Sequence, residues 1–173
     1  MSTERSAAES MLPRFLDFSA EVTAFSAFDL RGTGQAESYL ATVIRVVGPG
    51  VLGALLAAYE RVAAGPGSED GQARARRLDR DIFSDERLGP VARNIIKLWY
   101  VGVWYELSPE WTESFGVLEN DGTFTASPGA YPEGLLWRAI GANPPGARAP
   151  GYGSWAQPPR IPDIEMASQG GRR

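Results

Sequence analysis

The 173-residue chain contains neither cysteine nor histidine. Without cysteine there are no disulfides, thiolate metal sites or iron–sulfur clusters, and no covalent haem attachment. Without histidine, imidazole metal sites and every triad built on a histidine base are excluded. Phosphate cradles are missing as well. No G-x-G-x-x-G follows a strand pattern, and neither a G-x-x-x-x-G-K-[ST] loop nor a D-x-[DN]-x-[DN]-G calcium loop occurs. Basic charge is in short supply: the net charge is −4, whereas nucleic-acid binding needs a concentrated basic face. The densest basic run, ARARR at 73–77, is followed closely by DRD and DER and reads as the solvated face of a helix. No apolar run reaches the roughly 18 residues of a bilayer span. The N-terminus lacks a basic segment followed by an apolar one, and Pro13 precedes Arg14-Phe15-Leu16 where a twin-arginine signal needs a second arginine. With no signal in the chain, the expected location is cytoplasmic, or periplasmic if a partner carries an export signal.

What is present is apolar and aromatic: 43% hydrophobic and 10% aromatic residues, enough for an ordinary core in a chain of one-domain size. The patterning predicts a mainly α fold, a small helical bundle with an extended Pro/Gly-rich C-terminal strap. The expected organisation is a flexible N-terminus (1–12), a helical domain (13–140), the strap (141–162) and a frayed tail (163–173). Pro13 suits the first turn of a helix, and Phe15, Phe18, Val22 and Phe25 recur at helical spacing until Gly32-Thr33-Gly34. A second helix is expected from about 35 to 47, stopped by Gly48-Pro49-Gly50. A third is expected from about 51 to 63, with Leu52, Leu55, Leu56, Tyr59 and Val62 inward. These stripes most simply pack on one another, although helices can also enclose an apolar ligand pocket. An exposed helix at 73–83 follows, with Ser84 able to cap the next turn.

The segment VARNIIKLWYVGVWY (91–105) is predicted as one helix, apolar nearly all round, with Gly102 inside it. Such a helix must be covered on every side. Two readings stand: a central core helix, or a helix buried half in its own core and half in a partner, where Trp and Tyr are favoured. Further on, Ser108-Pro109 should begin a short helix through Phe115. Glu119-Asn120-Asp121-Gly122 carries turn chemistry, so the flanking VL and TFT are candidates for a hairpin. Residues 131–137 suggest one more turn. The best acid–base candidates are Glu106, Glu110 and Glu113, beside Trp104 and Trp111. Two carboxylates and stacking rings suit glycoside hydrolysis, but nothing in the sequence sets the two acids apart in pKa. Tyr100 and Tyr105 have no base partner. The sequence indicates no enzyme, no catalytic residue and no metal or cofactor site of its own.

Two pieces carry a resemblance: IIKLWYVG (95–102), and PGYGSWAQPP (150–159) within a ribbon holding Pro144, Pro145, Pro150, Pro158, Pro159 and Pro162. Together, in this order, they resemble the small subunit of bacterial FAD-dependent sugar and polyol dehydrogenases, the gluconate dehydrogenase subunit 3 family, over roughly residues 88–160. The resemblance implies a non-catalytic accessory subunit that clasps a large flavoprotein of the glucose–methanol–choline type. The FAD and the catalytic histidines would belong to that large subunit, and a c-type cytochrome subunit is a further possible partner. The positions that match are Trp99, Tyr100, Gly102, Gly151, Tyr152, Trp155, Ala156, Pro158 and Pro159; Trp104 and Trp137 join them as partner-interface candidates. The chain departs from the family in lacking the twin-arginine signal and the tail cysteine of some members, and in the segment from Trp104 to Pro128. Those departures leave assembly and stabilisation, rather than export, as the implied role. A free-standing helical domain binding a small hydrophobic ligand or a carbohydrate is the alternative.

Overall fold

A computed structural model describes residues 2–66 and 69–147, with side chains from Ser10 onward. The protein is mainly α, as its periodicity predicts. The described residues up to Asn143 make one compact unit, and from Pro144 the chain belongs to a second. The elements are α1 (Ser2–Thr23), α2 (Ala27–Gly32), α3 (Ala36–Ala64), α4 (Gly71–Leu78), α5 (Leu88–Val101), β1 (Val103–Trp104), α6 (Pro109–Phe115), β2 (Phe124–Thr125) and α7 (Leu135–Ala139). Helix α4 runs on into a π turn, Asp79–Phe83.

The core lies where α3 packs against α1 and α5, and α1 against α5. Phe15, Phe18, Tyr39, Leu40, Val43, Leu52, Leu55 and Leu56 are all buried, so the stripes read from the sequence are the packed faces. Each such side chain contributes about 1.5–3 kcal/mol by leaving water. Trp99 of α5 closes the centre, stacked on Phe15 at 6.2 Å and edge-on to Tyr39 at 5.0 Å between ring centroids.

The boundaries differ from the periodic reading in four places. Helix α1 passes through Pro13 rather than starting there. One backbone bond is lost, and the burial of Phe15, Leu16 and Phe18 immediately beyond outweighs it. The same helix ends at Thr23, because Ala24 takes a left-handed φ of 60° and Ser26 opens α2 with a capping box. The Asp29 amide donates to Ser26 Oγ at 3.1 Å, and the Ser26 amide donates to Asp29 Oδ2 at 3.2 Å. This is the reciprocal pattern that satisfies orphan N–H groups at a helix start.

The two helices expected either side of Gly48 form one 29-residue helix, broken in its dihedrals at Gly48 (φ 79°, ψ 159°). Gly48 stops the first run as expected, but Pro49 restarts helix at once because its fixed φ suits a first turn. By length and composition α3 could cross a membrane, which the apolar runs taken separately do not suggest. Its buried stripe against α1 and α5 is that of a core helix. Fourth, Asp85 rather than Ser84 caps the turn that leads into α5: its Oδ1 accepts from the amides of Arg87 and Leu88 at 2.9 and 2.7 Å.

Beyond α5 the chain is short on regular structure. TFT does find a strand partner, but it is Val103–Trp104 rather than VL: Val103 pairs with Thr125 and Trp104 with Phe124, antiparallel. The short helix expected from Ser108-Pro109 through Phe115 is present, and Ser108 caps it, its Oγ accepting from the Trp111 amide.

Candidate functional site

The predicted helix 91–105 ends four residues early. Gly102 is not inside it but caps it, with a left-handed φ of 73°. The loop bearing Ala130 packs so closely that a side chain on Gly102 would come within 2.5 Å of Ala130 Cβ. A glycine is needed here both for the backbone conformation and for the space. The early stop also gives α5 a wet side, since Arg93 and Lys97 are exposed while Ile95, Leu98 and Trp99 are buried. The helix is therefore amphipathic, and the reading of it as apolar all round is corrected.

That correction redistributes the expected partner-interface residues. Trp99 is 1% exposed and Trp104 is 0% exposed, so neither presents a side chain at the surface. Trp104 is held from its polar end: its Nε1 donates to Asp121 Oδ1 at 2.8 Å. Gly102 is buried under Ala130. Tyr100 and Trp137 do reach the surface. Gly151, Tyr152, Trp155, Ala156, Pro158 and Pro159, with the strap from residue 148 on, lie outside the described residues.

Around Tyr100 and Trp137 the fold gathers an aromatic face. Tyr100 meets Phe25 edge-on at 6.2 Å, and its hydroxyl donates to the Thr23 carbonyl at 3.0 Å, joining the end of α5 to the end of α1. A side chain on Gly134, just before α7, would come within 2.7 Å of the Tyr100 carbonyl, so α7 starts directly against this point. Trp137 meets Tyr131 edge-on at 5.3 Å and donates through Nε1 to the Tyr131 carbonyl at 2.7 Å. Asp29 and Arg138 lie 3.9 Å apart, which brings α2 beside α7. The sequence neighbours of that pair, Phe28 and Ile140, are 84% and 60% exposed. Half-buried aromatics with fixed polar ends, beside exposed apolar side chains and an arginine, make the composition from which interface hot spots are drawn. Phe28 and Ile140 escaped the sequence reading because neither lies on a predicted stripe. The Ser26-x-x-Asp29 capping box was the available signal for a separate α2 that exposes Phe28.

The carboxylates do not form an acid–base pair. Glu106, Glu110 and Glu113 are all exposed. Hydrogen bonding from Ser108 and from its own backbone holds Glu110 below the ordinary carboxylate pKa, so it stays ionised, the opposite of what a general acid requires. Trp111 is buried and donates to the Arg87 carbonyl at 3.0 Å, so its ring has no open face for a sugar. Between the ends of α1 and α3 runs an open cleft of about 870 Å3, lined by Asp17, Ala20, Glu21, Phe25, Tyr59 and Glu60 among others. Two of its acids are occupied: Glu60 pairs with Arg14 at 2.5 Å and Glu21 with Arg74 at 2.6 Å. Among the described residues, no cluster of three or more carboxylates could hold a metal ion.

No family model, no curated protein and no solved structure matches the chain.

Proposed function

We propose that this chain is a non-catalytic accessory subunit that binds and stabilises an FAD-dependent dehydrogenase of sugars or polyols, of the glucose–methanol–choline type. The observation that carries the proposal is the pairing of IIKLWYVG at 95–102 with PGYGSWAQPP at 150–159, the motifs by which the chain resembles the small subunits of such enzymes. The fold gives the first motif a physical sense. Trp99 anchors it in the core, Tyr100 ties it to α1, and Gly102 ends the helix under the Ala130 loop. A partner would meet the aromatic face around Tyr100, Trp137, Phe28 and Ile140; Tyr152 and Trp155, in the second motif, are further anchors for it. A proline-rich segment is already extended, so less entropy is lost when it docks. FAD, the substrate and any cytochrome contact belong to the larger partners.

The test is co-expression with a glucose–methanol–choline-type flavoprotein from the same genome, one encoded next to this chain being the first choice, followed by purification through a tag on this chain. The expected result is a complex that carries bound flavin, and a flavoprotein recovered in lower soluble yield when expressed alone. The double change Tyr152→Ala, Trp155→Ala should weaken the complex by at least about tenfold, the scale of losing interface anchors. A chain that purifies alone as a stable monomer and never retains the flavoprotein would overturn the proposal.

A further inference from the structure

Three arginines, Arg14 in α1, Arg77 in α4 and Arg80 in the π turn, show the same edge of the guanidinium, Nε with Nη2, in different states. Arg14 uses it to grip Glu60, at 2.5 and 3.0 Å. Arg80 uses it to grip Asp81, at 2.6 and 2.9 Å. In Arg77 both atoms of the edge are screened from solvent and have no hydrogen-bond partner among the described residues. Its Nη1 is engaged, donating to the Pro66 carbonyl. A guanidinium edge offers two parallel N–H donors matched to two oxygens of one carboxylate or phosphate. Leaving such donors unmet costs free energy.

The local backbone explains why Asp81, the carboxylate placed by the sequence to fill the role, does not do so. Asp81 lies four residues after Arg77, the spacing at which oppositely charged residues share a face of an α-helix. Between them the helix opens into the π turn of Asp79–Phe83, with the Ser84 amide donating to the Asp79 carbonyl at 2.7 Å. Asp81 is instead gripped by its immediate neighbour Arg80, a pairing that a regular α-helix does not favour. Single π turns are rare and recur at functional sites. Arg61 and Arg76 are exposed nearby in the chain, with no ion pair among the described residues, and Arg61, Arg77 and Arg80 all act on Asp81 to favour its ionised form.

We propose that the Nε–Nη2 edge of Arg77, beside the Gly65–Pro66 turn, is a binding site for a small oxyanion: a phosphate or carboxylate group that replaces the partner which the π turn diverts to Arg80. The site is independent of the aromatic face and of the accessory-subunit reading. Because the edge is screened, the anion enters as the guanidinium leaves the Pro66 carbonyl, and binding is felt at Gly65, where a Cβ would lie 2.9 Å from Arg77 Nη1.

The experiment is a titration of the full chain with inorganic phosphate, and in a separate arm with acetate, at constant ionic strength set by chloride. The readouts are the arginine Nε–H and backbone amide NMR signals. The Arg77 Nε–H and Gly65 amide should shift together and saturate. The stronger arm identifies the group as phosphate or carboxylate. Arg77→Lys, which keeps the charge and loses the edge, should weaken binding about tenfold or more, while Arg76→Gln should leave it within about twofold. Shifts that rise linearly without saturation, or that spread equally over all arginines, would overturn the proposal, as would unchanged affinity in Arg77→Lys. If that variant does not fold, the wild-type titration decides alone, through saturation at Arg77 and Gly65 or its absence.

Discussion

The helices α3 and α5 and the segment between Gly102 and Gly134 are neighbours that hold their shape by different means. In the helices, backbone bonds are internal and the tertiary work falls to apolar side chains: Tyr39, Leu52, Leu55, Leu56, Ile95 and Trp99 are buried. Between Gly102 and Gly134 there are two strands of two residues and one helix of seven, and side chains take over the role of backbone partners. Asp121 accepts from the Trp104 indole at 2.8 Å and from the Leu107 amide at 2.9 Å. Asn94, buried in α5, reaches across to both backbone groups of Tyr105: its Nδ2 donates to the carbonyl at 2.7 Å and its Oδ1 accepts from the amide at 3.3 Å. One region is built by burial over regular structure, the other by individual polar contacts. The first degrades gradually with volume lost, whereas the second depends on single atoms.

The sharpest attempt to break that contrast is Trp99→Ala. It empties the centre of the core and should cost about 3–5 kcal/mol, read as a lower denaturant midpoint with all slow-exchanging helix amides affected together. A cost under about 1 kcal/mol would mean that the burial is not where the stability lies. Asp121→Ala should cost about 2–4 kcal/mol, since two buried donors lose their acceptor. Its effect should be local, with faster hydrogen exchange around residues 103–107 and 123–126 while the α3 amides stay slow. Uniform acceleration across α3 and α5 would show the two regions to be one cooperative unit after all.

The smallest effect at neutral pH is expected for Tyr39→Phe, whose hydroxyl is buried without a hydrogen-bond partner. Removing it should change stability by less than about 1 kcal/mol at pH 7. Burial, and secondarily the charge of Glu133, hold the Tyr39 phenol well above its ordinary pKa. The folded state therefore favours the protonated ring. That contribution is intact below the unfolded pKa of about 10 and is lost as pH rises beyond it. Alkaline unfolding curves should be shallower for Tyr39→Phe than for the parent chain, and identical curves would remove Tyr39 from the account.

This same division governs how much of the molecule was legible beforehand. The inward residues of α1 and α3 follow from helical spacing alone, because a helix repeats its face every three to four residues whatever it packs on. The break at Gly48 and the start of the short helix at Ser108-Pro109 were legible too, since both are local chemistry. The hairpin was misassigned because Phe124–Thr125 chooses its partner across the Asp121 contacts rather than across the nearest turn. Trp99 and Trp104 looked like interface anchors because a run of aromatics does not say which ring points inward. For Trp104 the left-handed turn at Gly102 decides it, by ending the helix first, whereas Trp99 is buried with Ile95 and Leu98 on the packed face of α5. Of the surface face, Tyr100 and Trp137 were singled out in advance, whereas Phe28 and Ile140 carry no periodic signal, and the Asp29–Arg138 pair beside them joins residues far apart in the chain.

By itself the sequence determined the helical class, the absence of thiol and imidazole chemistry, and the stripes that form the core, because composition and spacing act over a few residues. The tertiary structure alone decided which aromatics face water, which carboxylate each arginine grips and which strand Phe124–Thr125 joins. Those outcomes depend on groups far apart in the chain meeting within a few ångströms, and no local pattern encodes such a meeting. The Tyr100 hydroxyl bonded to the Thr23 carbonyl, 77 residues away, is an example.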